Sequence, residues 1–217
     1  MTLEKLLVDF YLKNGIPENG GVNKSSFEMN VLGIKLKLPN PEFRKKVIHI
    51  HDIQHLLNHC DTSWKGEGFI AGWETATGFW KHFPICVFSI WAMGYSLWIY
   101  PKAVFDGFKK GLNAIGIIDL KISKADFMKM EFDELERITR KSNPTEMGIV
   151  QWLQFIFWSF ISEVVFLFPF LLLLSGIFWL IKNYVSSTYS ESIWRILFFL
   201  STKKSSKNIF NRVFGFR

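Results

Sequence analysis

At 217 residues the chain is long enough for one domain with a buried core, or for a domain with an appendage. Its 17% aromatic content, with nine Trp and twenty-three Phe, is high for a soluble protein of this size, and two cysteines, Cys60 and Cys86, make no disulfide framework and point to a reducing compartment. A formal charge of +7 suits nucleic acid or an acidic membrane surface, but the excess is concentrated at the end: seven Lys/Arg stand against Glu191 alone between Lys182 and Arg217. An anionic membrane is therefore the expected partner of that charge, and no nucleic acid is expected.

The first residues carry Glu4 and Asp9 and lack a basic-then-apolar pattern, so no cleaved signal or transit peptide is expected. Leu3, Leu6, Leu7, Phe10 and Tyr11 follow helical spacing, and Asn14–Gly15 supplies a stop. Residues 27–38 alternate instead, with Phe27, Met29 and Val31 before Gly33 and Ile34, Leu36 and Leu38 after it, which predicts a small β-hairpin. Asn40–Pro41 then opens a helix, Asn as N-cap and Pro at the first helical position, running to about residue 59. Phe43, Val47, Ile50 and Leu57 share one stripe of it, and His51, Asp52, His55 and His59 form a polar arc beside that stripe.

A further helix is expected to start near Glu67, where Gly68, Gly72 and Gly78 would be costly unless close packing or a ligand groove requires them. Residues 83–100 carry no charge and have a length between a buried core helix and a membrane span. Ser123 with Asp126 resembles a capping box, opening one amphipathic helix through Met128, Phe132, Leu135 and Ile138. From Trp152 to Ile181 the only ionisable side chain is Glu163. As one helix this segment would extend about 45 Å against a hydrocarbon core of about 30 Å. Pro169 near its middle allows a kinked span or a re-entrant hairpin broken at Phe168–Pro169–Phe170. The Lys/Arg of the tail and of residues 101–150 favour the hairpin, with both ends on the cytoplasmic side.

Four of the five histidines, at 49, 51, 55 and 59, lie in one short stretch, and His82 stands apart. Residues four apart on a helix project side by side, so His51 and His55 can grip one ion, with Asp52 bordering the same face. Glu67 follows far enough on for the chain to turn and return on a packed second helix. Two imidazoles with one or two carboxylates suit zinc, iron, manganese or cobalt and leave room for water or substrate. Solvent-facing residues with no metal would explain His51-Asp52-x-x-His55 alone about equally well, but the added Glu67 and the apolar neighbourhood lower that reading. A zinc peptidase would want His-Glu-x-x-His, and Asp52 is shorter than the glutamate it needs as base. An HD-type phosphohydrolase would need further ligands, and nothing in the spacing of His49, Asp119 or Asp126 recommends them. Cys60 and His82 are read as structural.

His51-Asp52-x-x-His55, eleven residues, then Glu67 resembles the signature of the coenzyme Q (ubiquinone) biosynthesis protein 4 family, and Asp61–Thr62 and Gly66–Glu67 look like that family's loop. The resemblance covers residues 1 to about 140. The glycine common in the family is His59 here, an additional candidate ligand, and the apolar segment after 152 and the basic tail are not family features. The resemblance implies a mostly helical domain that binds a prenyl tail in an apolar groove beside a metal held by His51, Asp52, His55 and Glu67. It further implies oxidative decarboxylation of a polyprenylated hydroxybenzoate, or the organising of quinone-biosynthesis enzymes. Asp52 or Glu67, where not a ligand, would transfer protons as a catalytic residue.

The expected fold is therefore mainly α: a helical metal- and lipid-binding domain over 1–145 with a small N-terminal β-hairpin, then 146–217 with a hydrophobic membrane segment at 152–181 and a basic tail. The expected function is that of a membrane-associated metal protein of prenylquinone or related isoprenoid-lipid metabolism, zinc being the default ion. A non-catalytic scaffold presenting a prenyl lipid to biosynthetic enzymes, or self-associating, is the alternative. The aromatic, glycine-punctuated region from Phe69 to Tyr100 is expected to line the lipid groove. A bacterial cytoplasmic membrane, with metal domain and tail on the cytoplasmic side, is the expected location.

Overall fold

The computed structural model describes residues 1–31 and 33–213, with 187–188 and 190–213 described by backbone alone. The expectations for the basic tail thus fall outside the described residues at Arg217, and outside the described side chains at Arg195, Lys203, Lys204, Lys207 and Arg212. The described chain is mainly helical. In order it forms α1 (Leu3–Asn14), β1 (Ser26–Val31), β2 (Ile34–Pro39), α2 (Glu42–Asn58), α3 (Trp64–Thr77) and α4 (Cys86–Ile99). There follow α5 (Pro101–Gly111), α6 (Lys124–Lys129), α7 (Phe132–Thr139) and α8 (Ile149–Val213).

α1 ends as its sequence predicts, at Gly15 in the left-handed region with φ 63°. β1 and β2 pair antiparallel with Phe27 opposite Leu38 and Met29 opposite Leu36. This is the expected hairpin. The start of α2 differs from expectation. Pro41, not Asn40, is its N-cap, and no side chain caps it. Asn40 Nδ2 instead donates to the carbonyls of Gly21 and Lys24, at 3.2 and 3.0 Å, tying the loop before the hairpin to the helix start.

α3 begins at Trp64, ahead of the expected Glu67, because Ser63 caps it by accepting from the Gly66 amide. Its glycines serve packing. A side chain at Gly72 would strike the Val104 carbonyl of α5, and one at Gly107 would strike that of Phe69 on α3, so the two helices approach at backbone distance. Gly78 is not inside the helix but caps it at φ 92°. The helix expected through residues 124–138 is two. Met130 and Glu131 are extended between α6 and α7, where the Leu3 amide donates to the Met130 carbonyl and the Phe132 amide to that of Met1. The N-terminus thus breaks what local periodicity would have joined. α1, α2, α3, α6 and α7 share a core of Leu3, Leu7, Phe10, Ile53, Leu57, Trp73, Phe127 and Leu135.

Two compact units divide the chain, Met1–Leu167 and Phe168–Arg217. The division falls later than 145 because the first turns of α8 pack within the first unit. Phe105 stacks on Trp152 at 5.0 Å between centroids, Trp80 meets Trp158 at 5.3 Å, and Trp98 Nε1 donates to Glu163 at 2.8 Å. In the second unit the described apolar side chains, Leu171 to Leu174 and Phe178 to Ile181 among them, are exposed. By length and composition, residues 149–186 of α8 suffice to cross a membrane. Pro169 lies inside α8 and does not end it, so the expected hairpin at Phe168–Pro169–Phe170 is not formed. α4, at fourteen residues, is shorter than a span.

Candidate metal centre

Ile50, Ile53 and Leu57 turn one side of α2 into the core, and this fixes the rotation of the helix. His51 and His55, one turn apart, then project together toward the first turn of α3, where Glu67 stands. His51 Nε2 lies 3.3 Å from Glu67 Oε2 and 3.3 Å from His55 Nε2, and His55 Nε2 lies 3.5 Å from Glu67 Oε1. Around a tetrahedral ion with bonds of about 2.0–2.1 Å, neighbouring ligand atoms are about 3.3–3.4 Å apart. The two histidines meet different oxygens of Glu67, and with one donor atom from each residue within 4.8 Å of the others this His51–His55–Glu67 group could hold one ion.

The hydrogen bonding fits the same reading. His51 Nδ1 faces Glu74 Oε1 at 3.4 Å, and Glu74 is 1% exposed with its other oxygen accepting from Ser89 Oγ. A carboxylate there calls for the proton on Nδ1, which leaves the Nε2 lone pair turned to Glu67 and His55, the arrangement a ligating histidine adopts. Without a cation between them, two imidazole nitrogens and a carboxylate meet only if a proton intervenes. Burial works against a charged His51, yet its bonds to Glu67 and Glu74 outweigh this and hold its pKa well above 6.5. Burial likewise raises Glu67, but His55 and His51 outweigh it and hold the carboxyl well below its ordinary range.

Of the four residues expected at the metal, three converge and Asp52 stands outside that group of three. Its Oδ2 accepts from the Tyr11 hydroxyl at 2.8 Å, and burial raises its pKa above the usual carboxylate value. His59 is exposed as the left-handed C-cap of α2, its ring 6.1 Å from Phe132. His82 pairs with Asp119 at 2.9 Å. Asp126 caps α6. His49 is buried apart from the group and its pKa falls to about 4, chiefly through burial. Cys60 is half-buried, and burial pushes its thiol up to about 11. Gly66 and Gly68 make room for Asp61 and Ser96 respectively.

Glu74 was legible and missed: it lies seven residues after Glu67, two helical turns on, and so on the same face of α3. The group opens on a cavity of about 1090 Å³. His51, Asp52, His55 and Glu67 form one part of its lining, and Phe79, Ile85, Phe88 and Trp91 from the expected region form another. Phe69 and Trp73 of that region pack with the core instead. The hairpin adds Phe27 and Met29, which sequence reasoning assigned only to a β-element.

Set against family models, curated proteins and solved structures, the chain matches none of them. The fold and site define a mainly helical protein with a two-histidine, one-carboxylate group in a large, partly apolar cavity and a helix of membrane-spanning length.

Proposed function

We propose that this chain is a membrane-associated, divalent-metal protein of ubiquinone, prenylquinone or related isoprenoid-lipid metabolism. The observation that carries the reading is the placement of three candidate metal donors, His51, His55 and Glu67, in the wall of a cavity that also carries the apolar rings of Phe27, Trp64, Phe79, Phe88 and Trp91. A prenyl tail needs such walls, and a cavity of this volume is at the upper end of the usual ligand range. The spacing shared with the coenzyme Q biosynthesis protein 4 family supports the same reading. Zinc suits the donor set best, and when bound it would supply Lewis acidity to a carboxylate or phenolate oxygen.

The chain's own residues have separable roles. Glu74 holds the ring of His51, Tyr11 positions Asp52, and Asp52, beside the histidines in the cavity wall but outside the group of three, is the acid–base candidate. The reaction class proposed is decarboxylation of a prenylated hydroxybenzoate. α8 would anchor the protein in a bacterial cytoplasmic membrane, where such substrates partition. The test is to purify the full chain in detergent, measure its metal, and identify extracted lipid by mass spectrometry. About one divalent ion per chain with a prenylated lipid is expected. Stoichiometric metal with phospholipid alone would remove the isoprenoid assignment, and absence of metal would remove the centre.

A further inference from the structure

Arg44 stands seven residues before His51 and eleven before His55 on α2. At 100° per residue both separations bring it back to within about 20° of the histidines, so all three share one face, and Arg44 lines the same cavity. Its side chain is held on two sides. The guanidinium lies 4.0 Å over the Phe27 ring, and Nη1 donates to Asn40 Oδ1 at 3.0 Å. Asn40 is itself buried and fixed by its bonds to Gly21 and Lys24. A guanidinium is always charged and offers five N–H donors. Among the described residues no carboxylate comes within 4.0 Å of it. Asp52 and Glu67 act on it through space rather than by contact. A half-buried, oriented and unpaired positive charge is costly unless a partner arrives. Lys24 and Lys37 line the same cavity with it, against the carboxylates of Glu28, Asp52, Glu67 and Glu74, of which Glu67 stands with the histidines and Asp52 and Glu74 are held by Tyr11 and Ser89.

We propose that Arg44 is the anion-binding residue of the cavity, pairing with a carboxylate or phosphate on the ligand's head and selecting acidic over neutral prenyl lipids. This rests on the lipid reading above and adds to it the charge of the head and the residue that reads it. Planar, bidentate pairing is what the arginine fork offers such groups.

Three probes separate the sources of the anion: farnesyl phosphate, 3-farnesyl-4-hydroxybenzoate and neutral farnesol, titrated onto the detergent-purified full chain. Wild type should bind at least one anionic probe at least tenfold tighter than farnesol. Arg44→Met should lose that preference at least tenfold, with farnesol affinity and metal content unchanged. The anionic probe that loses affinity identifies the head as carboxylate or phosphate. Where Arg44→Met fails to retain metal, Arg44→Gln is judged by the same criterion. A wild type without preference for either acid, or a variant that keeps the preference, overturns the role of Arg44 and leaves the lipid reading standing. A wild type that binds none of the three sinks the lipid reading, and this inference with it.

Discussion

Glu74 shows how much of this site is decided by residues that touch no ligand. Its carboxylate lies behind His51 and is itself held by Ser89, so the ring is fixed with Nε2 toward Glu67. Partners of this kind typically matter by about 10–100-fold in metal affinity. Glu74→Gln should therefore weaken zinc by that factor in a competitive chelator titration, while the fold, read by circular dichroism, persists. An unchanged affinity would mean that the ring is oriented by something else. Cys60 gives a second test at this scale. With its pKa pushed to about 11, only about 0.1% is thiolate at pH 8. In a Cys86→Ser background, iodoacetamide labelling should keep rising about tenfold per pH unit beyond pH 9, where an ordinary thiol levels off. His51, His55 and Glu67 were readable from spacing because helix geometry alone makes i and i+4 neighbours. The Tyr11 bond to Asp52 was not, since it joins residues 41 apart in sequence.

Among the elements, the pairing of α3 with α5 is the most tightly specified. Gly107→Ala would put a methyl group 2.0 Å from the Phe69 carbonyl, with backbone on both sides. Overpacking of this kind costs about 1–3 kcal/mol or more and should appear as a clear fall in melting temperature. Gly176→Ala meets nothing within 4 Å and should be neutral or stabilise α8 by up to about 1 kcal/mol. Equal effects from the two would contradict the packing described. α1, the hairpin and α2 were legible because each has a local signal: periodicity, alternation and an end marker. The start of α3 was set by Ser63 and Asp61, a local cap that the apolar pattern obscured. The break between α6 and α7 could not be read locally, because Met1 and Leu3 impose it from more than a hundred residues away. Pro169 carried the opposite error. Proline is a weaker stop in a long apolar helix than its soluble propensity suggests.

For the whole molecule, α8 continues through Pro169, and labelling of its two ends separates the two topologies. A hairpin would have kept residue 142 and the tail on one face, whereas a helix that crosses once puts its two ends on opposite faces. In a Cys60- and Cys86-free background, single cysteines at Ser142 and Ser205 should differ in labelling by an impermeant reagent in intact cells. Equal protection or equal labelling would contradict a single crossing. Release of the protein by alkaline carbonate would contradict integral anchoring altogether. The proposed chemistry depends first on the metal. The most direct measurement is X-ray absorption at the zinc edge of the loaded, detergent-purified chain, with His55→Ala alongside. Two imidazole nitrogens and a carboxylate oxygen at about 2.0–2.1 Å are expected in wild type, and loss of an imidazole or of the ion itself in the variant. Zinc absent from wild type, a sulfur ligand at about 2.3 Å, or a spectrum unchanged by His55→Ala would contradict the proposed centre.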